Sequence, residues 1–225
     1  MERLMRGAAI GYAVSSVAVA MVTGAAAAAP SSQVAWTAES RALVAGGNAQ
    51  RGQQLAERCA SCHGAQGVSA TPGYPHLAGQ LATYIYKQLK DYRNGSRAQA
   101  MMAAFVANLE DQNMADLAAW YASLPLPTSD APPVRDRAAL SLVSKGDGRR
   151  LVPPCASCHG ARGEGAVVDV PALAGQNAQY LETTLRAYQS GQRANDVYAR
   201  MRAMSRQLRD EEIAELARYY ETLSE

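Results

Sequence analysis

Apolar positions recur along this chain at helical spacing. Leu81, Tyr84, Ile85 and Leu89 fall at i, +3, +4 and +8, which is one face of a helix, and Asn94-Gly95 supplies a C-terminal stop. Met114, Leu117, Ala118 and Tyr121 form a second stripe, and Ile213, Leu216, Ala217 and Tyr220 form a third of the same shape. Residues 48–58 also read as a helix, leading into the first cysteine pair. No segment alternates apolar and polar residues as a half-buried strand does. The pattern predicts an all-α fold.

The stripes return because the chain repeats itself. Displaced by 96 residues, Leu77-Ala78-Gly79-Gln80 falls on Leu173-Ala174-Gly175-Gln176, Pro75 on Pro171, Tyr84 on Tyr180, Tyr92 on Tyr188 and Arg97 on Arg193. Further on the displacement is 99, where Leu109 meets Leu208, Asp111 meets Asp210, Leu117 meets Leu216 and Tyr121 meets Tyr220. The second copy therefore carries three extra residues after Arg193. Two domains follow, 47–124 and 139–225, joined across 125–138 by a linker whose prolines cannot continue a helix. Residues 30–46 are polar and alanine-rich and read as a loose lead-in.

Domains this small bury a modest core and need a staple, and the chain has a single Phe. A formal charge of +2 makes no case for a nucleic acid partner. Arg3 and Arg6 precede an uncharged stretch, residues 7–29, that ends in small side chains. This is the layout of a secretory signal, so 1–29 is expected to be cleaved and the domains to work in the periplasm. The alternative is an uncleaved anchor, since the stretch approaches the roughly 20 residues of a spanning helix. Membrane contact is otherwise expected only through partners.

The chemistry lies in Cys59-Ala60-Ser61-Cys62-His63 and its copy Cys155-Ala156-Ser157-Cys158-His159. C-x-x-C-H is the signature of c-type haem attachment: two thiols add to the haem vinyl groups and the imidazole takes the iron. A zinc site would set its cysteine pairs about 15–20 residues apart, and a thioredoxin-like pair would need a βαβ setting. The reading is two covalently bound haem c groups, held by Cys59 and Cys62 with His63, and by Cys155 and Cys158 with His159. The remaining histidine, His76, aligns with Ala172 and reads as a packing residue.

An iron that carries electrons without binding substrate takes a sixth ligand, and Met opposite His raises its potential. Seven residues before the aligned Leu109 and Leu208 stand Met102 and Met201, which are assigned as those ligands. Met101 aligns instead with Arg200, Met204 with Phe105 and Met114 with Ile213, replacements that no ligand would tolerate. Tyr84, Tyr180 and Trp120 read as haem-packing residues whose polar tips reach a propionate.

C-x-x-C-H-G, P-x-L-A-G-Q and Leu-x-Asp-x-x-x-x-x-Leu-Ala, each present twice and in this order, make residues 47–225 resemble the di-haem cytochrome c4 family, a tandem duplication of two class I cytochrome c domains. The resemblance implies that the carbonyls of Pro75 and Pro171 fix the two haem-binding imidazoles, and that each terminal helix crosses the helix before its haem motif. It implies two haems facing each other across a domain interface. It further implies an electron carrier, not an enzyme, fed by a quinol-oxidising complex or a dehydrogenase and emptied by a terminal oxidase. Glu110 and Arg209 depart from the Ser that often opens the last helix, so that helix is expected to lose a favoured N-cap. Other classes remain open: a di-haem peroxidase or sulfur-compound oxidoreductase, which needs an iron with a displaceable ligand, or an electron-entry subunit of a larger complex.

Overall fold

A computed structural model describes residues 32, 34, 36–166 and 168–223, so the expected signal segment, 1–29, lies outside the described residues. The first copy contains α1 (Ala38–Ala45), α2 (Ala49–Ala56), the single turn α3 (Ala60–His63), α4 (Ala82–Arg93), α5 (Ala100–Val106) and α6 (Asp111–Ala122). The second contains α7 (Arg137–Ser144), the single turn α8 (Ala156–His159), α9 (Ala178–Ser190), α10 (Arg200–Ser205) and α11 (Asp210–Glu221). Among the described residues the only β pairings are two isolated bridges, Asp147 with Val152 and Ala166 with Val170, and the all-α expectation holds. No helix among them is long and apolar enough to cross a membrane.

Each core is built on its last helix. On α6 the stripe Met114, Leu117, Ala118 and Tyr121 is at most 2% exposed, and it packs against α2 and α4. On α11 the matching Ile213, Leu216, Ala217 and Tyr220 pack against α9 and α7. The α2–α6 crossing is tight because Gly52 carries no side chain: a Cβ there would sit 2.0 Å from the Asp116 carbonyl oxygen. The Asp116 carboxylate then ties the helices, accepting from Asn48 N (2.7 Å), Arg51 Nε (2.7 Å) and Gln112 Nε2 (2.9 Å). Trp120 packs at this crossing, against the first core and beside Gly52, and not on the haem side expected of it.

Of the lead-in, 30–46, the described stretch 36–46 is not loose. Within it α1 is capped by a reciprocal Thr37–Ser40 box, its Val44 is 4% exposed, and Trp36 leans on Tyr86 with ring centroids 6.2 Å apart. Its apolar pattern is too short to register as a periodicity. A groove along α4 and α6 supplies the helix with its partner.

The copies also differ where their sequences align. Displaced by 96, α2 falls on residues that form only a 3-10 turn (Gly148–Arg150), flanked by left-handed backbone at Gly146 and Leu151, and Pro153-Pro154 bars any continuation. The helix that crosses α11 is instead α7, capped by Asp136 and beginning just inside the expected linker. At the starts of α6 and α11 the expected loss of a cap is offset from the third turn position. Asn113 accepts from Glu110 N and Glu212 from Arg209 N, the returning half of a capping box.

The domains are joined by a reciprocal clamp. Gln80 accepts from Ala172 N (2.9 Å) and donates to Ala172 O (3.0 Å), while Gln176 accepts from His76 N (2.8 Å) and donates to His76 O (2.9 Å). The glycine before each glutamine has left-handed φ and admits the linker: a Cβ on Gly175 would fall 2.1 Å from Pro127 O. The linker is thus seated in the interface as well as extended.

The packing contrast between aligned glycines is open to test. Gly52→Ala should cost about 1–3 kcal/mol by overpacking the α2–α6 crossing. Gly148→Ala, whose added Cβ meets nothing within 4 Å, should stay within about 0.5 kcal/mol. Urea unfolding of the holoprotein measures both, and equal costs would contradict the crossing described.

Candidate haem centres

The P-x-L-A-G-Q segment shapes each centre. Leu77 N and Ala78 N donate to Gly67 O, and Gly79 N donates to Tyr121 O at the end of α6. In the second copy Leu173 N and Ala174 N hang from Gly163 O, and Gly175 N from Tyr220 O. The loop so held points the Pro75 carbonyl at His63 Nδ1, 3.0 Å away, and the Pro171 carbonyl at His159 Nδ1, also 3.0 Å. A carbonyl only accepts, so each imidazole carries its proton on Nδ1 and leaves the Nε2 lone pair free for a metal. Burial lowers the pKa of both histidines and keeps them neutral, against the opposing pull of the proline carbonyls.

The histidines and cysteines face a cavity of about 710 Å³ that continues from one domain into the other. Cys59, Cys62, His63, Leu77, Ile85 and Leu117 line its first half, and Cys155, Cys158, His159, Leu173, Leu181 and Leu216 its second. None of the four cysteines is tied up in a disulfide, and burial raises the pKa of Cys59 and Cys155. Met101, Met102, Met201 and Met204 all reach the cavity wall. Met102 packs against the first core, Met101 is 45% exposed, and Met114 is sealed at 0% in the core away from the cavity.

Whether a haem suits this cavity is tested by its polar wall. Arg97 and Arg193 stack on Tyr92 and Tyr188, guanidinium to ring centroid 4.6 and 4.7 Å, at the meeting of the two halves. Their hydrogen bonds go to neutral oxygens: Arg97 to Gln88 and Tyr180, Arg193 to Asn195, Gln88 and Tyr84. Among the described residues neither has a carboxylate partner. A buried cation without a counter-charge costs on the order of several kcal/mol. The Tyr180 hydroxyl registers the same field: burial pushes its pKa up, yet the two guanidiniums bring it down to about 7. An anion is missing from this wall, and the propionates of two haems are anions of the right kind. Apolar walls, paired thiols, free Nε2 atoms and unmatched guanidiniums together fit haem c.

Sequence reading found the cysteines, the histidines and the methionine candidates. It placed Tyr84 and Tyr180 near a propionate, but not the bonds each makes to the arginine of the opposite domain. Lys87, Asp91 and Asn195, buried where the domains meet, were missed, because nothing in their spacing marks them. His76 is a packing residue in the clamp, its Nδ1 accepting from Ser69 N at 3.0 Å.

Known proteins share this arrangement. The cytochrome c family profile matches residues 49–125 and again 146–224. The chain is 39% identical over 182 residues to a cytochrome c4 of Thiocapsa roseopersicina, covering 80% of this chain and 94% of the relative. It is 37% identical over 166 residues to a thiosulfate dehydrogenase electron acceptor of Stutzerimonas stutzeri, covering 72% and 77%. The crystal structure of reduced recombinant cytochrome c4 from Pseudomonas stutzeri superposes with a TM-score of 0.75 at 32% identity, over 79% of this chain and all of that one.

Mass spectrometry of the denatured chain should show two haem additions, and Cys155→Ser with Cys158→Ser should leave one. Met102→His and Met201→His should each keep a low-spin iron at a lower potential, because imidazole favours the oxidised iron more than a thioether does. Met101→Ala should leave the Met-to-iron absorption band in place. Loss of that band in Met101→Ala but not in Met102→Ala would move the ligand by one residue.

Proposed function

The chain belongs to the cytochrome c family in its two-domain c4 form, a di-haem electron-transfer protein, and from that premise we propose how it is loaded and emptied. It works in the periplasm, takes single electrons from a dehydrogenase or a quinol-oxidising complex, and passes them to a terminal oxidase. The observation that carries this reading is the joined cavity: two imidazoles, each held by a proline carbonyl, open onto one apolar space that crosses the domain boundary. Haem supplies a one-electron iron couple there. The chain does the rest.

His63 and His159 present Nε2 in a fixed orientation, Cys59, Cys62, Cys155 and Cys158 would hold the haems as thioethers, and Met102 and Met201 would be the second protein ligands to the irons. Irons so held would leave no room for a substrate, and the protein's work would be tuning and docking. Apolar walls keep water from the irons, while Arg97 and Arg193 hold the acidic edges toward the interface. Two relatives are named as electron acceptors of thiosulfate dehydrogenase, which favours a dehydrogenase as the donor.

Redox titration of the purified protein should show two transitions of fully low-spin haem, whereas a high-spin iron that binds cyanide would favour the enzymatic alternative. After rapid photochemical reduction of one haem, transfer to the other should proceed at a rate independent of protein concentration. A rate that falls in proportion to dilution would defeat the coupled pair.

A further inference from the structure

Most contacts across the domain boundary come in pairs: Gln80 answers Gln176, and the Arg97–Tyr180 bond answers Arg193–Tyr84. One cluster has no counterpart. Lys87, Gln88 and Asp91 of α4 stand where α9 has Thr183, Thr184 and Ala187, and they meet Asn195 in the stretch lengthened by three residues. The Lys87 side chain is 3% exposed and its Nζ donates to Asp91 Oδ2 (2.6 Å) and to the backbone carbonyl of Asn195 (2.7 Å). Asp91 is sealed and also accepts from Asn195 Nδ2 (2.7 Å) and Ser32 Oγ (2.6 Å).

This pair is oriented. Lys87 lines the haem cavity and Asp91 does not, so the lysine side of the pair faces the cofactor space and the carboxylate side is turned away. The other charges acting on Lys87 are Arg193 and Asp169, both in the second domain, and Asp169 lies two residues before the proline whose carbonyl holds His159. From the elements packed on α4, Glu39 and Arg41 of α1 are exposed, α5 carries no charge, and on α6 Asp111 is occupied by Lys90 and Arg93 and Asp116 by Arg51, while across the boundary the titratable Tyr180 hydroxyl is held by Arg97 and not by this pair. A buried charge acts through a low dielectric and is little screened by salt.

Resting on the carrier reading above, we infer that Lys87 of the first domain raises the reduction potential of the second domain's haem from across the boundary, biasing the electron toward that haem. The first haem has no equivalent, since Thr183 stands at the matching position. Burial lowers the pKa of Lys87, against the opposing attraction of Asp91, so the ammonium loses its proton at a lower pH than a surface lysine. An electron on the neighbouring haem holds that proton in place. The second haem's potential therefore descends as pH rises through the Lys87 titration.

Spectroelectrochemical titration of the holoprotein tests this, with each transition assigned by haem-methyl contacts to Ile85 in the first domain or Leu181 in the second. Lys87→Gln combined with Asp91→Asn keeps the hydrogen bonding and removes both charges. It should lower the second haem's potential, leave the first unmoved and flatten the alkaline descent. Lys87→Arg should keep the raised potential and also flatten the descent, since guanidinium does not titrate in this range. If the neutral pair fails to assemble, this variant decides alone, and a lowered potential or a surviving descent in it overturns the inference. So does a neutral pair in which neither potential moves, only the first moves, or both fall equally. High-spin iron in the unaltered protein would defeat the carrier reading itself, before Lys87 is touched.

Discussion

Two small domains surround about 710 Å³ that their own side chains do not fill, and this missing volume governs the rest of the fold. Protein interiors otherwise pack to crystal-like density, so an apolar space of that size is shaped for an occupant. The helices supply one dry wall each, from α4 and α6 in the first domain and from α9 and α11 in the second. Covalent attachment is the economical remedy for a small core. It fixes the filler in place and makes each domain's stability depend on it.

The same hollow explains why the interface is polar. Guanidiniums at the cavity wall need anions, and where the domains meet they find neutral amide and phenol oxygens from the opposite side. Haem propionates would supply the charge that those oxygens lack. The glutamine clamps then hold the two loops that orient the imidazoles, so iron ligation in one domain is mechanically tied to the backbone of the other. Clamped in both directions, the two domains pack as one unit and not as two beads on a string.

Duplication has not kept the copies equal. Gly52 admits α2 to within contact of α6, whereas Gly148, its aligned partner, stands in a 3-10 turn and meets nothing. The segment after Arg193 gained three residues and now delivers Asn195 to Gln88 and Asp91, and Asp196 to Arg202. It does so at the cost of left-handed backbone at Tyr198 and Ala199, which side chains disfavour. Such differences are where two otherwise identical haems acquire different surroundings.

What the sequence determined by itself was whatever depends on local spacing and on repetition. C-x-x-C-H needs only neighbours to be read, the helical stripes need only a period of 3.6, and the duplication singled out Met102 and Met201 as candidate ligands by alignment. The proline carbonyl behind each histidine was implied by the family resemblance, and the proline stands twelve positions after the histidine in both copies. Tertiary structure decided the rest. A helix as short as α1 has too few apolar positions to announce itself and exists because α4 and α6 offer a groove. Trp120 has the composition of a haem neighbour and the position of a helix-crossing wedge. Lys87, Asp91 and Asn195 are ordinary polar residues in sequence, separated by as many as 108 positions, and only the docking of two domains removes them from water and turns a lysine into a buried charge beside a redox centre.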